Sequence, residues 1–168
     1  VDEAVARFGR LDALVNNAAL GMGIVSSDHM TRVVDIEELE PQLWDRMIRV
    51  NLSGSWYLTR FAIPHMRKQG QGRIIDVSTS FYTMLRGGFH PYGPAKAGME
   101  AMAAGHATEF AGTGITVNVV VPGGPTDTPM VPSEAPYNRA DLIPPGKMVA
   151  PIVWLCGEAG DDDTGRRY

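Results

Sequence analysis

The chain is 168 residues long, a length that suits one domain. A hydrophobic share of 44% and a charged share of 20% exclude a disordered tail and a collagen-like fibre. A formal net charge of -4 argues against a nucleic-acid partner, which calls for a basic face.

The single Cys156 excludes an internal disulfide and a cysteine-built zinc site, and it fits a reducing compartment. No run approaches the roughly 20 apolar residues of a membrane span. No signal peptide pattern is present. These features together read as a cytoplasmic protein with no membrane partner.

Val1, Ala4, Val5 and Phe8 recur at helical spacing with no N-cap before them, so the sequence starts inside a helix and further chain is expected upstream. Leu11 to Asn16 is short, apolar on both faces and closed by small residues, which predicts a buried parallel strand. Residues 20–40 read as a long loop. Pro41 opens a helix to roughly residue 68, with Leu43, Met47, Val50 and Leu58 at apolar positions and Pro64 as a site for a kink. Arg73 to Ser78 is a second strand, and 79–91 a loop. A helix from Tyr92 to Ala111 presents Ala95, Met99, Met102 and Ala103 on one side. A third strand, Ile115 to Val121, ends at Pro122-Gly123-Gly124. Residues 125–145 are Pro-rich and suit a flap, and a last helix spans Lys147 to Gly157. This alternation predicts an α/β fold with a doubly wound parallel sheet, right-handed crossovers and one domain over residues 1–168.

Ligands of open parallel sheets bind beyond the carboxyl ends of the strands. Those ends are Asn16 to Ala19, Ser78 to Ser80 and Pro122 to Gly124. Tyr92 and Lys96 stand one helical turn apart on one face. A phenol titrates near ~10, and bringing it to ~7 takes about 4 kcal/mol. An ammonium about 4 Å away supplies roughly that much at an effective dielectric of ~20. Lys96 is therefore expected to acidify Tyr92. A hydroxyl from Thr79 or Ser80 could hold a carbonyl oxygen while the phenol protonates it. His29, His65, His90 and His106 show no ligand spacing, so no metal is expected.

The segments NNAA, VNLSG, IIDVSTS, YGPAK and VNVVVPGG, in this order, resemble the short-chain dehydrogenase/reductases over essentially the whole chain. The resemblance implies a Rossmann-type domain that binds NAD or NADP. It makes Tyr92 the catalytic acid/base and Lys96 the residue that holds the nicotinamide ribose. Asn51 would hold a water of the proton relay and break its helix. Counting back from Tyr92 favours Thr79 as the carbonyl-holding hydroxyl; the family's serine favours Ser80, which is preferred. Asn16, Ala18 and Ala19 would border the cofactor, as would Pro122, Gly123 and either Thr126 or Thr128. The family forms homo-dimers and homo-tetramers.

Several positions depart from the family pattern. NNAA stands where NNAG is usual, so Ala19 adds a methyl beside the cofactor. Asp76 stands where Asn is common and reads as structural. Met22, Met30, Met84 and Met130 lie near the expected substrate mouth. The first strands and the glycine-rich phosphate loop have no counterpart, so this stretch alone is expected to bind dinucleotide poorly and turn over little. The implied activity is hydride transfer between NAD(P) and a small carbonyl or secondary alcohol. The competing reading is a catalytically silent fragment or assembly module that keeps the fold.

Overall fold

The computed structural model describes residues 1–168. Helix α1, Asp2–Phe8, leads to strand β1, Ala13–Asn16. The loop after β1 contains two short 3-10 turns, Met22–Ile24 and Ile36–Glu38. Helix α2, Pro41–Ile48, starts at a proline whose missing N–H costs nothing in a first turn. It passes through a π turn, Arg49–Ser53, into helix α3, Gly54–Gln69. The single helix expected from Pro41 to about residue 68 is thus interrupted at Asn51, and Pro64 lies inside α3.

Strand β2, Gly72–Val77, follows. The expected loop over 79–91 contains a short helix α4, Phe81–Met84. Helix α5 is Tyr92–Glu109, and strand β3 is Ile115–Val120. The Pro-rich stretch is closed at its neck by a bridge between Thr126 and Ile143. Within it Arg139 pairs with Asp127 and donates to the Val131 carbonyl at 3.1 Å. Helix α6, Val149–Gly157, completes the elements. No helix is long and apolar enough to cross a membrane.

The sheet order is β1-β2-β3, all parallel, with Asn16 opposite Asp76 and Asp76 opposite Val119. Alternate residues of a strand face opposite sides, so β2 and β3 each feed two cores. Ile74 and Val117 pack with Ala62 and Met66 of α3 and with Ala103 and Ala107 of α5. Ile75 and Val120 pack with Leu155 of α6 and with Ala159. Burial on both faces is why these strands read as near-continuous apolar runs. The apolar stripe of α1 buries none of its residues, and Phe8 is 69% exposed. One outer edge of the sheet is β1, where Val15 is 37% exposed.

Two glycines set close approaches. Gly114 has φ 74°, and a Cβ there would lie 2.2 Å from the Gly70 carbonyl oxygen. Gly93 would place a Cβ 2.2 Å from the Met84 carbonyl oxygen, so the first turn of α5 rests directly on the end of α4. The chain's final residues also pair, which periodicity did not reveal. The Val119 amide donates to Arg166 O, the Tyr168 amide to Val119 O and the Val121 amide to Tyr168 O, each at 2.9 Å.

Candidate active site

The three strands end side by side, and the segments after them flank the crevice that open parallel sheets offer to ligands beyond their carboxyl ends. The Ser78 amide donates to Val120 O at 2.9 Å, which ties the end of β2 to that of β3. The Ser78 hydroxyl is buried and has no partner. The seat of α5 on α4 then brings the start of α5 back over this loop.

Tyr92 and Thr79 are both half-buried, and the nearby Thr79 side chain pulls the pKa of the Tyr92 phenol down. Ser80 serves another purpose. It has extended backbone, accepts from the Thr83 amide at 3.1 Å and caps α4. Its oxygen also lies 3.1 Å from Thr83 Oγ1. The Ser80 oxygen is engaged as an acceptor at the α4 cap, whereas the contact with the phenol favours Thr79, the residue that the count back from Tyr92 singles out.

The electrostatics also differ from expectation. Burial raises the Tyr92 phenol above its ordinary value, and the Thr79 contact works against that shift. The expected acidification by Lys96 is not what this arrangement produces. Lys96 is 3% exposed, and its ammonium donates to the Val77 carbonyl at 2.6 Å. Burial lowers its pKa to about 8, against the pull of the Asp76 and Glu100 carboxylates. The ammonium is thus held toward the sheet and its acids, while the phenol is governed by its own desolvation.

Asp76 was missed as a site residue. It is 1% exposed and accepts from Asn16 Nδ2 at 2.7 Å through Oδ1, while Oδ2 has no partner. Burial raises its pKa to about 6, opposed by the Asn16 hydrogen bond and the Lys96 charge. The signal available in sequence was an acid set between Ile74-Ile75 and Val77 on a strand. Asn16 itself points into this layer, with Nδ2 also 3.5 Å from Thr59 Oγ1, so only its backbone can border the crevice.

Asn51 is 1% exposed in the π turn. Its Oδ1 accepts from the Leu20 amide at 2.7 Å, and its Nδ2 donates to Leu20 O at 2.8 Å. That pair pins the loop after β1 and commits both polar atoms of the Asn51 side chain. Ala18 is exposed and Ala19 half-buried in that loop. Across the crevice Pro122 is half-buried and Gly123 exposed. The Thr126 hydroxyl turns back to Gly124 O at 3.3 Å, whereas half-buried Thr128 keeps its hydroxyl uncommitted.

A cavity of about 360 Å³ separates the loop after β1 from the Pro-rich stretch. Its lining includes Ser27, Asp28, Met30, Pro132 and Glu134, but none of Thr79, Tyr92 and Lys96. Of the four methionines expected at the mouth, only Met30 lines it. Met22 and Met84 are buried, and Met130 lies against Gly21.

The nicotinamide half of a dinucleotide fits this donor set. An ammonium carries three donors. Lys96 commits one to Val77, which leaves N–H groups for ribose hydroxyls. The backbone at Gly123 is open, since a Cβ there would meet only Ile143 Cδ1 at 3.7 Å.

The model of the short chain dehydrogenase family matches residues 1–138. The chain is 34% identical over 175 aligned positions to the 3-oxoacyl-(acyl-carrier-protein) reductase FabG of Thermotoga maritima, covering 99% of this chain and 67% of the relative. It is 38% identical to the D-beta-hydroxybutyrate dehydrogenase of Rhizobium meliloti, covering 77% of this chain and 46% of that protein. Identity to the cis-4-hydroxycyclohexanecarboxylate dehydrogenase of Sinomonas cyclohexanicum is 33%, covering 98% and 66%. The chain therefore spans between about half and two thirds of the length of these relatives. The structure of a gluconate 5-dehydrogenase from Burkholderia cenocepacia, in complex with NADP and tartrate, superposes with a TM-score of 0.82 at 23% identity, covering 99% of this chain and 66% of that one. The oxidoreductase yciK from E. coli gives the same TM-score at 24% identity, covering 99% and 64%. A sheet of this order, the matched residues and the level of identity agree: the chain belongs to the short-chain dehydrogenase family.

Proposed function

We propose that this chain carries the proton-transfer half of an NAD(P)-dependent oxidoreductase acting on a small carbonyl or secondary alcohol. The observation that carries the reading is the Tyr92 phenol set against the Thr79 hydroxyl, with buried Lys96 one turn further along the same helix.

Thr79 would donate to the carbonyl oxygen and hold it beside the phenol. Tyr92 would give that oxygen its proton during reduction and take it back during oxidation. A phenol raised above its ordinary value stays protonated at neutral pH, which suits the donor role. Lys96 stands one turn further along α5 with its ammonium anchored on the Val77 carbonyl. The same ammonium would hold ribose hydroxyls. Main-chain groups near Asn51 would hold a water that returns the proton from solvent. Asn16, Ala18, Ala19, Pro122 and Gly123 would border the nicotinamide half through backbone, and the uncommitted Thr128 would serve the amide in preference to Thr126. Bound NAD or NADP supplies the redox chemistry.

The relatives' names add that such chains act on hydroxy and oxo compounds. The large exposed side chains of α3, including Trp56, Tyr57 and Phe61, support a homo-oligomer through this helix. The test is turnover of secondary alcohols and ketones by the full-length protein, read from the reduced nicotinamide absorbance. Tyr92→Phe should lose turnover while still binding dinucleotide. Undiminished turnover in that variant removes Tyr92 from its role.

A further inference from the structure

The chain's last residues reach the candidate site from the far side of β3. Pairing of residues 165–168 with β3 carries Arg167 to the loop after β2, 88 positions away in sequence. Arg167 makes three contacts there. Nη2 donates to the Thr79 carbonyl at 2.7 Å, and Nε donates to Glu100 Oε2 at 3.0 Å. The guanidinium carbon sits 4.0 Å above the centre of the Phe81 ring. Thr79, Ser80 and Phe81 are consecutive, so two of these contacts grip both sides of the α4 cap. Glu100 lies one turn beyond Lys96 on α5 and is one of the two carboxylates acting on that ammonium.

We infer that Arg167 is a positioning residue that sets the Thr79 hydroxyl against Tyr92. A peptide plane held at its carbonyl fixes the direction in which the next bonds leave the Cα. The Thr79 backbone, from which the hydroxyl is carried, then moves together with α5, because the same guanidinium is anchored to Glu100. The planar fork suits this task, since it can serve a carbonyl and a carboxylate while stacking on a ring. A lysine has one compact charge and can answer only one of the two acceptors well. Both the Thr79 backbone and the carboxylate that acts on Lys96 are thereby tied to one side chain.

The inference rests on the proposed function, so its test has two readouts. Arg167→Gln and Arg167→Lys are made in the full-length protein beside Tyr92→Phe. In Arg167→Gln, kcat should fall about 10- to 100-fold, as expected when a reacting group is misplaced, with KM for dinucleotide unchanged. Arg167→Lys should recover part of that loss. Amide hydrogen exchange should quicken at Thr83, Met84 and Leu85 in Arg167→Gln and stay unchanged at Val119 and Val121, whose bonds belong to the β3 pairing. Unaltered kcat with unaltered exchange at residues 83–85 overturns the inference. So does a fall in kcat that comes with loss of protection at Val119 and Val121, which would mark Arg167 as a general strut. If Tyr92→Phe keeps its turnover, the functional reading fails by itself, and exchange at residues 83–85 decides alone whether Arg167 holds the loop.

Discussion

Ile74 and Asp76 stand two residues apart on the same face of β2 and meet opposite surroundings. Ile74 is fully buried among Ala62, Met66, Ala103 and Val117. Asp76 is as deeply buried, yet its neighbours are Asn16 and the charge of Lys96. The layer between the sheet and helices α3 and α5 is thus divided. Its lower part gains from removing apolar surface from water, at roughly 25 cal/mol per Å². Its upper part buries charges, which costs free energy unless partners compensate. Burial displaces both Asp76 and Lys96 toward their neutral forms. The strand ends hold polar groups at a cost to stability, as expected where side chains serve chemistry.

The sharpest way to break this division is Lys96→Met in the full-length protein. Turnover should fall about 10²-fold or more, the scale on which a positioned charge acts in a closed site. Melting at pH 5 should not fall, because Asp76, with a pKa of about 6, is then protonated and no lone charge remains. A large loss of stability with turnover kept would place Lys96 in the lower layer by function.

Ile74→Ala probes the opposite half. Removal of a buried aliphatic side chain costs about 2–5 kcal/mol when the surroundings close only in part. Urea denaturation should show that loss, and turnover per folded molecule should match the parent. If activity collapses while the denaturation midpoint stays in place, the two halves are not separable.

The division explains what could be read from residues alone. The apolar half was legible, since Leu11 to Asn16, Arg73 to Ser78 and Ile115 to Val121 mark three strands by composition and length, although β1, read as buried, lies at the sheet edge with Val15 exposed. The spacing of Tyr92 and Lys96 was legible because helical geometry is local. The family pattern added the break at Asn51, which the π turn displays. The polar half was less so. Whether Lys96 acts on the phenol or on Asp76 depends on where an ammonium settles among three elements, and spacing along one helix carries no such information. Arg167 was invisible for the same reason, since its contacts with Thr79 and Glu100 need the final residues to pair with β3. The cap at Ser80 was not legible, because a four-residue helix has too little periodicity to announce it.

Asp76→Asn sharpens the comparison through pH. The folded-state pKa of Asp76, about 6, lies above its ordinary 3.8. Between those values the folded chain retains a proton that the unfolded chain has released, so stability falls as pH rises through that window. The loss is complete above the folded-state value. The span from 3.8 to about 6 corresponds to about 3 kcal/mol. The neutral Asn should flatten this slope in thermal melts between pH 4 and 7. It also removes one of the two carboxylates that raise Lys96, whose pKa then drops further below its ordinary range. The alkaline limb of the activity profile should move to lower pH. An unchanged slope would show that Asp76 is ionised at the bottom of that window.

The smallest effect separates the two neighbouring hydroxyls. Ser80→Ala removes the acceptor for the Thr83 amide, and a lost N-cap costs about 0.5–1 kcal/mol. Because α4 is one turn long and its end supports Gly93 in the first turn of α5, part of that cost should appear as faster exchange at Thr83. Turnover should fall only a few-fold, about the effect of a slightly loosened loop. Thr79→Ala should do the reverse, leaving α4 intact and lowering turnover about 10²-fold through the missing donor. Thr79→Ser, which keeps the hydroxyl, should restore most of it. If alanine at 80 silences the enzyme and alanine at 79 does not, the cap and the carbonyl-holding group have exchanged places, and the family's serine outweighs the count from Tyr92.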